Sequence, residues 1–143
     1  MTQPVHQGAK RLLVLIPAFN EEKAVAGVVG EVRSSVPGTP ILVVDDCSAD
    51  GTRGEAKAAG AQVLALPHHL GLGGCVQAGY RLAYELGFDY VIRVDGDGQH
   101  DPRDIPIQIV GVLEGAAVGE AAHREASGRI LAKRLGASDG VGP

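Results

Sequence analysis

Asp95 and Asp97, one residue apart with Gly96 between them and Gly98 after them, are the densest concentration of metal-binding chemistry in the chain. They follow an apolar run, Tyr90 to Val94, that reads as a buried strand and delivers them to its carboxyl end. Hard carboxylate oxygens suit Mg2+ or Mn2+, which one or two carboxylates usually hold together with substrate phosphates and water. Gln99 adds a neutral oxygen two residues further on. A polar loop whose acids only make turns and cap a helix would have the same spacing, so the elements around the pair must decide.

Four short apolar runs, each followed by a helical pattern, give the alternation of a parallel α/β sheet. Leu12 to Ile16 is the first strand, stopped by Pro17; Asn20 is placed to cap the next helix, with Glu21 and Glu22 in its first turn and Val25, Val28, Val29 and Val32 as its apolar stripe. That helix ends near Pro37-Gly38. Ile41 to Val44 is the second strand and delivers Asp45 and Asp46 to the same edge; Thr52 and Glu55 read as a capping box for a short helix that Gly60 stops. Val63 to Leu66 is the third strand, followed by Pro67, His68, His69 and the glycine-rich Leu70 to Gly74. A helical pattern from Cys75 then carries Val76, Tyr80, Ala83 and Tyr84 to a stop at Gly87. After the fourth strand and its acidic loop, Asp101-Pro102 signals a helix start, blurred by Pro106 towards Asp104, that runs through Ile107, Val110 and Leu113.

From Glu114 the composition shifts to Gly, Ala, Ser, Arg and Glu, and the pattern contains no fifth strand. Ala121 to Leu135 reads as a weak amphipathic helix and Gly136 to Pro143 as frayed. The expected organisation is a polar segment over residues 1–10, an α/β domain over 11–113 and an atypical tail over 114–143.

The expected fold is α/β, a parallel sheet of about four strands in the order 3-2-1-4 with helices on both faces. The chain then reverses beside strand 1, and ligands of open parallel sheets bind at such a reversal. Loops 17–22, 45–52 and 95–101 would face one crevice there. Amides at the start of the first helix could meet ligand oxygens, and Asp45 or Asp46 could accept hydrogen bonds from a base or a ribose hydroxyl. The loop after strand 1 lacks the G-x-G-x-x-G of a dinucleotide domain, no P-loop motif occurs, and the acidic pair of a phospho-receiver is absent after strand 1. His68 and His69 have no Cys or His at ligand spacing, so they read as loop residues and neither is assigned to a metal.

With 143 residues and 45% hydrophobic content, one domain with a sizeable core is the expectation. The net charge of −4 argues against nucleic acid or an anionic membrane surface as partner, and 3% aromatic content leaves little for stacking along single strands. Two cysteines, Cys47 and Cys75, fit inert thiols in a reducing compartment. No apolar run approaches a membrane span, and residues 1–10 lack the apolar middle of a signal peptide, so the expectation is a soluble, cytoplasmic chain without a transmembrane segment.

Four ordered stretches, Val14 to Glu22, Val43 to Thr52, Leu70 to Gly74 and Val94 to Pro102, resemble the N-terminal half of family 2 glycosyltransferases of the GT-A fold. Bacterial polysaccharide and dolichol-phosphate mannosyltransferase-like enzymes give the nearest likeness, over about residues 10–113. The resemblance implies a nucleotide-sugar donor, a lipid-phosphate or glycan acceptor, and Mg2+ or Mn2+ at Asp95, Asp97 and Gln99. It also implies that Pro17, Phe19 and Glu21 line the nucleotide pocket, that Asp46, with Val44 and Asp45 beside it, holds the base or ribose, and that Gly96 lets the backbone approach the nucleotide. Cys47 stands where members often carry Gly or Ser, and His69 where many carry Asn. Residues 114–143 match nothing expected of the acceptor side, so no catalytic base is named, and the alternative reading is a truncated, inactive nucleotide-binding remnant. With strand 4 left as an edge, self-association through the open sheet edge is the accompanying expectation.

Overall fold

Strand β1 (Leu12–Ala18) lies at the centre of the sheet, and the alternation of its side chains divides the core in two. The computed structural model describes residues 11–98 and 130–135. Val14, Ile16 and Ala18 point to one face, where helix α1 (Val25–Ser35) buries Val25, Val28, Val29 and Val32 and helix α2 (Thr52–Ala58) buries Ala56. Leu13 and Leu15 point to the other, covered by Cys75, Val76, Tyr80 and Ala83 of helix α3 (Gly71–Glu85). The four valines of α1 are at most 2% exposed. At roughly 1.5–3 kcal/mol for each buried side chain, they fix this helix far more firmly than its intrinsic propensity could.

Strands β2 (Ile41–Asp45), β3 (Gln62–Ala65) and β4 (Tyr90–Val94) join β1 in parallel, in the order 3-2-1-4 expected from the sequence. The β2 and β4 loops therefore leave on opposite sides of the β1 loop, all at one edge. Several boundaries differ from the sequence expectations. Strand β1 continues through Pro17, which pairs with Val44, as far as Ala18. Helix α3 begins at Gly71 rather than Cys75, with Gly71 at φ 83°. The proposed helix through Leu113 lies outside the described residues.

The largest correction concerns the tail. Residues Ile130–Arg134 form a fifth strand, β5, antiparallel to β4, with Val94 opposite Ile130 and Tyr90 opposite Arg134. They are not part of a helix, and β4 is not an edge, so the edge invoked for self-association is already paired. Leu135 follows into the α3-side core, its N–H donating to the Asp89 carbonyl at 2.9 Å. Among the described residues no helix is long and apolar enough to cross a membrane.

Gly79 is where α3 comes down on the sheet. A Cβ there would lie 2.5 Å from Leu15 Cδ1 and 3.1 Å from Val44 Cγ2, both side chains fully buried. Gly79→Ala should therefore lose about 1–2 kcal/mol, the overpacking cost exceeding the helix propensity gained. Gly30→Ala, on an exposed turn of α1 with nothing within 4 Å, should gain up to about 1 kcal/mol. Urea titration of both variants measures the contrast; equal signs would refute the packing account.

Candidate functional site

Beyond the strand ends the backbone has no ladder partners, and side chains from neighbouring loops supply them. Asn20, at φ 52°, does not cap α1, which starts without a side-chain cap; it ties the β1 loop to the β2 loop. Its N–H donates to Ser48 Oγ at 2.8 Å and its Oδ1 accepts the Ala49 N–H at 2.9 Å. The Glu21 N–H donates to Thr52 Oγ1 at 2.8 Å, and Glu22 Oε1 accepts the Gly51 N–H at 2.6 Å. Thr52 is thus engaged across loops rather than in a capping box. The carboxylate that accepts the Thr52 N–H, at 3.0 Å, belongs to Asp50, whose pKa is held below its ordinary value chiefly by the Thr52 hydroxyl.

Asp45 and Asp46 are neighbours with different surroundings. Asp45 is fully buried under its own loop, where Oδ2 accepts the Ser48 N–H at 3.1 Å and faces Arg53 Nε at 3.4 Å. Asp46 turns to α3: Oδ1 accepts the Leu70 N–H at 2.7 Å, Oδ2 the Gly71 N–H at 2.9 Å, and His69 Nδ1 stands 2.9 Å from Oδ2. A carboxylate on these first amides suits the positive end of the helix dipole.

A cleft of about 500 Å3 opens above these loops, lined by Pro17, Ala18, Phe19, Glu21, Asp46, His69, Gly71, Leu72, Cys75, Asp95, Gly96 and Asp97. Seven of the ten residues singled out from the sequence line it. Val44 and Asp45 lie beneath it in the core, and Gln99 lies outside the described residues. The floor includes Cys75, whose thiol burial, reinforced by the negative Asp46 and Asp45, pushes up to about 12. Its Sγ donates to the Val44 carbonyl at 3.5 Å, so it is a neutral packing group and no nucleophile.

The acids of the β1 and β4 loops share one field. The Glu21 carboxyl is raised above its ordinary range, first by burial and then by the charges of Asp97 and Asp50. Asp95 Oδ1 lies 3.7 Å from Arg93 Nε. Gly96 allows a close approach, but to protein: a Cβ there would sit 2.9 Å from the Pro17 carbonyl oxygen, so glycine lets the β4 loop rest on the end of β1. Among the described residues no three His, Cys, Asp or Glu side chains form a ready-made metal cage. The donor set fits an ion that takes one or two carboxylates and completes its shell from phosphate and water.

Sequence reasoning left His69, Gly71, Leu72 and Cys75 out of the site. The available signal was position, since residues just after a third parallel strand also reach the carboxyl edge. The glycine-rich run disguised the start of α3 as loop.

The family model for Glycosyl transferase family 2 matches residues 13–134, running past residue 113 to take in β5. The chain is 39% identical over 101 residues to an undecaprenyl-phosphate mannosyltransferase of Micrococcus luteus, covering 67% of this chain and 42% of that protein. It is 33% identical over 113 residues to a polyprenol monophosphomannose synthase of Mycolicibacterium smegmatis, covering 75% of this chain and 43% of the other. The chain thus spans less than half the length of these two relatives. In fold it is similar to glucosyl-3-phosphoglycerate synthase of Mycobacterium tuberculosis, with a TM-score of 0.66 and 24% identity over 80% of this chain and 43% of that one. Sheet order, the carboxylate-lined cleft at the β1 reversal and a family match over most of the sequence agree: the chain belongs to glycosyl transferase family 2.

Proposed function

We propose that the cleft binds a nucleotide-sugar donor through Mg2+ or Mn2+, in a protein that passes the sugar to a lipid-phosphate or glycan acceptor. One observation carries this reading: the loops after β1, β2 and β4 meet at a single cleft, with Asp95 and Asp97 on one side and Asp46 on the other. The relatives' names support a lipid-phosphate acceptor, and the similar mycobacterial synthase was solved with Mn2+ and UDP.

Asp95 and Asp97, with Gln99, would hold the ion. When bound, the metal neutralises charge on the departing nucleoside diphosphate. Pro17, Phe19 and Glu21 form the wall nearest the nucleotide. Asp46 already accepts two backbone N–H bonds, one on each oxygen, and the His69 Nδ1–H on Oδ2, and a carboxylate offers about four acceptor positions. Room remains for a hydrogen bond from base or ribose.

Calorimetry with nucleoside diphosphates and nucleotide sugars, in Mn2+ and then in chelator, tests the assignment. Binding should be much tighter with Mn2+, and Asp97→Asn should remove about tenfold or more of that enhancement with its unfolding midpoint intact. Equal affinity in metal and chelator would sink the metal reading.

Asp46→Ala should behave differently, losing about 1.5–3 kcal/mol of nucleoside binding even in chelator, as for a hydrogen bond to a charged acceptor. It should also unfold more easily, because the Leu70 and Gly71 N–H groups lose their partner. If Asp46→Ala and Asp97→Asn respond alike to metal, the two acids do not divide the work.

A further inference from the structure

We propose that His69 forms, with Phe19, the platform on which the base of the bound nucleotide stacks, and so sets nucleoside affinity in this chain. The inference rests on the nucleotide-binding reading above and adds a residue that reading does not use.

Sheet order gives the cleft two ends. The β4 loop, with Asp95 and Asp97, stands on one side of β1, and the β2 and β3 loops stand on the other. A diphosphate held at the carboxylate end places the rest of the nucleotide towards Phe19, His69 and Leu72. The rings of Phe19 and His69 lie there with centroids 4.2 Å apart and planes inclined by 35°. Both remain open to a ligand, Phe19 at 42% exposure and the His69 side chain at 52%. Aromatic residues are otherwise scarce, with two Phe, three Tyr and no Trp in the chain. Phe88 lies under the Arg11 guanidinium, Tyr80 and Tyr90 are buried in the core, and Tyr84 packs half-buried against the α3-side cluster. An exposed aromatic pair on the lip of a cleft that also carries Glu21, Asp46, Asp95 and Asp97 is therefore a local feature of this site.

The imidazole is also held in position. Nδ1 faces two acceptors of Asp46, the carboxylate Oδ2 at 2.9 Å and the backbone carbonyl at 3.3 Å. Facing acceptors alone, Nδ1 carries the proton, which fixes the tautomer and limits ring rotation. A ring oriented before the ligand arrives loses little freedom on binding. Asp46 thus acts twice, on the start of α3 and on the stacking ring.

The test uses calorimetry of the full chain in excess Mn2+ with three probes: uridine diphosphate, guanosine diphosphate and inorganic pyrophosphate. The wild-type chain should bind at least one nucleotide more tightly than pyrophosphate. His69→Ala should weaken that nucleotide by roughly 5- to 100-fold, the range for one lost base–aromatic stack, and leave pyrophosphate unchanged. His69→Phe keeps a ring but cannot donate to Asp46, and it should retain most of the affinity. If His69→Phe falls as far as His69→Ala, the residue acts only through Asp46 and the proposal is overturned. Pyrophosphate weakened equally, or His69→Ala without effect on the nucleotide, overturns it too while the metal–phosphate site stands. Failure of all three probes to bind the wild-type chain removes the nucleotide reading itself and this inference with it.

Discussion

The site depends on a shortage of backbone partners. Three parallel strands end together, and past their last ladder bonds the chain must turn without the sheet to satisfy its amides. The hydrogen bonds between the β1 and β2 loops resolve this, with Ser48, Thr52, Asn20 and Glu22 each pairing with a backbone N–H some 28 to 31 residues away. Their consequence is geometric. Phe19 and Glu21 flank or join these bonds, so the wall of the cleft is set by groups outside its lining.

Charge is the second constraint. Asp45, Asp46, Asp95, Asp97 and Glu21 gather at one sheet edge in a chain of net charge −4, and such a concentration needs local compensation. Asp45 has Arg53, Asp46 has the first amides of α3 and the His69 N–H, and Asp95 has Arg93. Glu21 feels Asp97 as a like charge, so the β1 and β4 loops meet at a junction of like charge. A divalent cation would lower the electrostatic cost at that junction. Asp45 is held by protein groups beneath the cleft, whereas Asp46, Asp95, Asp97 and Glu21 line it.

Much of this was legible in the sequence, for reasons that differ by element. The apolar runs of β1, β2 and β4 and the valine stripe of α1 follow from burial on both faces of a parallel sheet, and the order 3-2-1-4 expected for the first four strands is the one observed. Strand β5 was not legible. Ile130-Leu131-Ala132-Lys133-Arg134 carries Ala, Lys and Arg that favour a helix, and its strand state comes from pairing with β4, a contact some 40 residues distant in sequence. At the site, spacing alone could place Asp45 and Asp46 at the sheet edge. Both are buried, and spacing could not tell which lines the cleft, because that depends on which way each turns after the last ladder residue.

The two departures from the family pattern illustrate the same distinction. Cys47 adopts φ 64°, a left-handed backbone that costs a residue with a Cβ about 1–2 kcal/mol and costs Gly nothing, so a Gly at this position in relatives has a plain physical reason. Its exposed side chain donates from Sγ to the Pro67 carbonyl at 3.6 Å. The substitution is thus a local strain tolerated by the surrounding hydrogen bonds. At His69 the backbone is unremarkable and the change lies in the side chain: an imidazole brings an aromatic face where an amide would bring none, and its donor still meets Asp46. One departure alters what the fold must bear; the other alters what the cleft presents to a ligand.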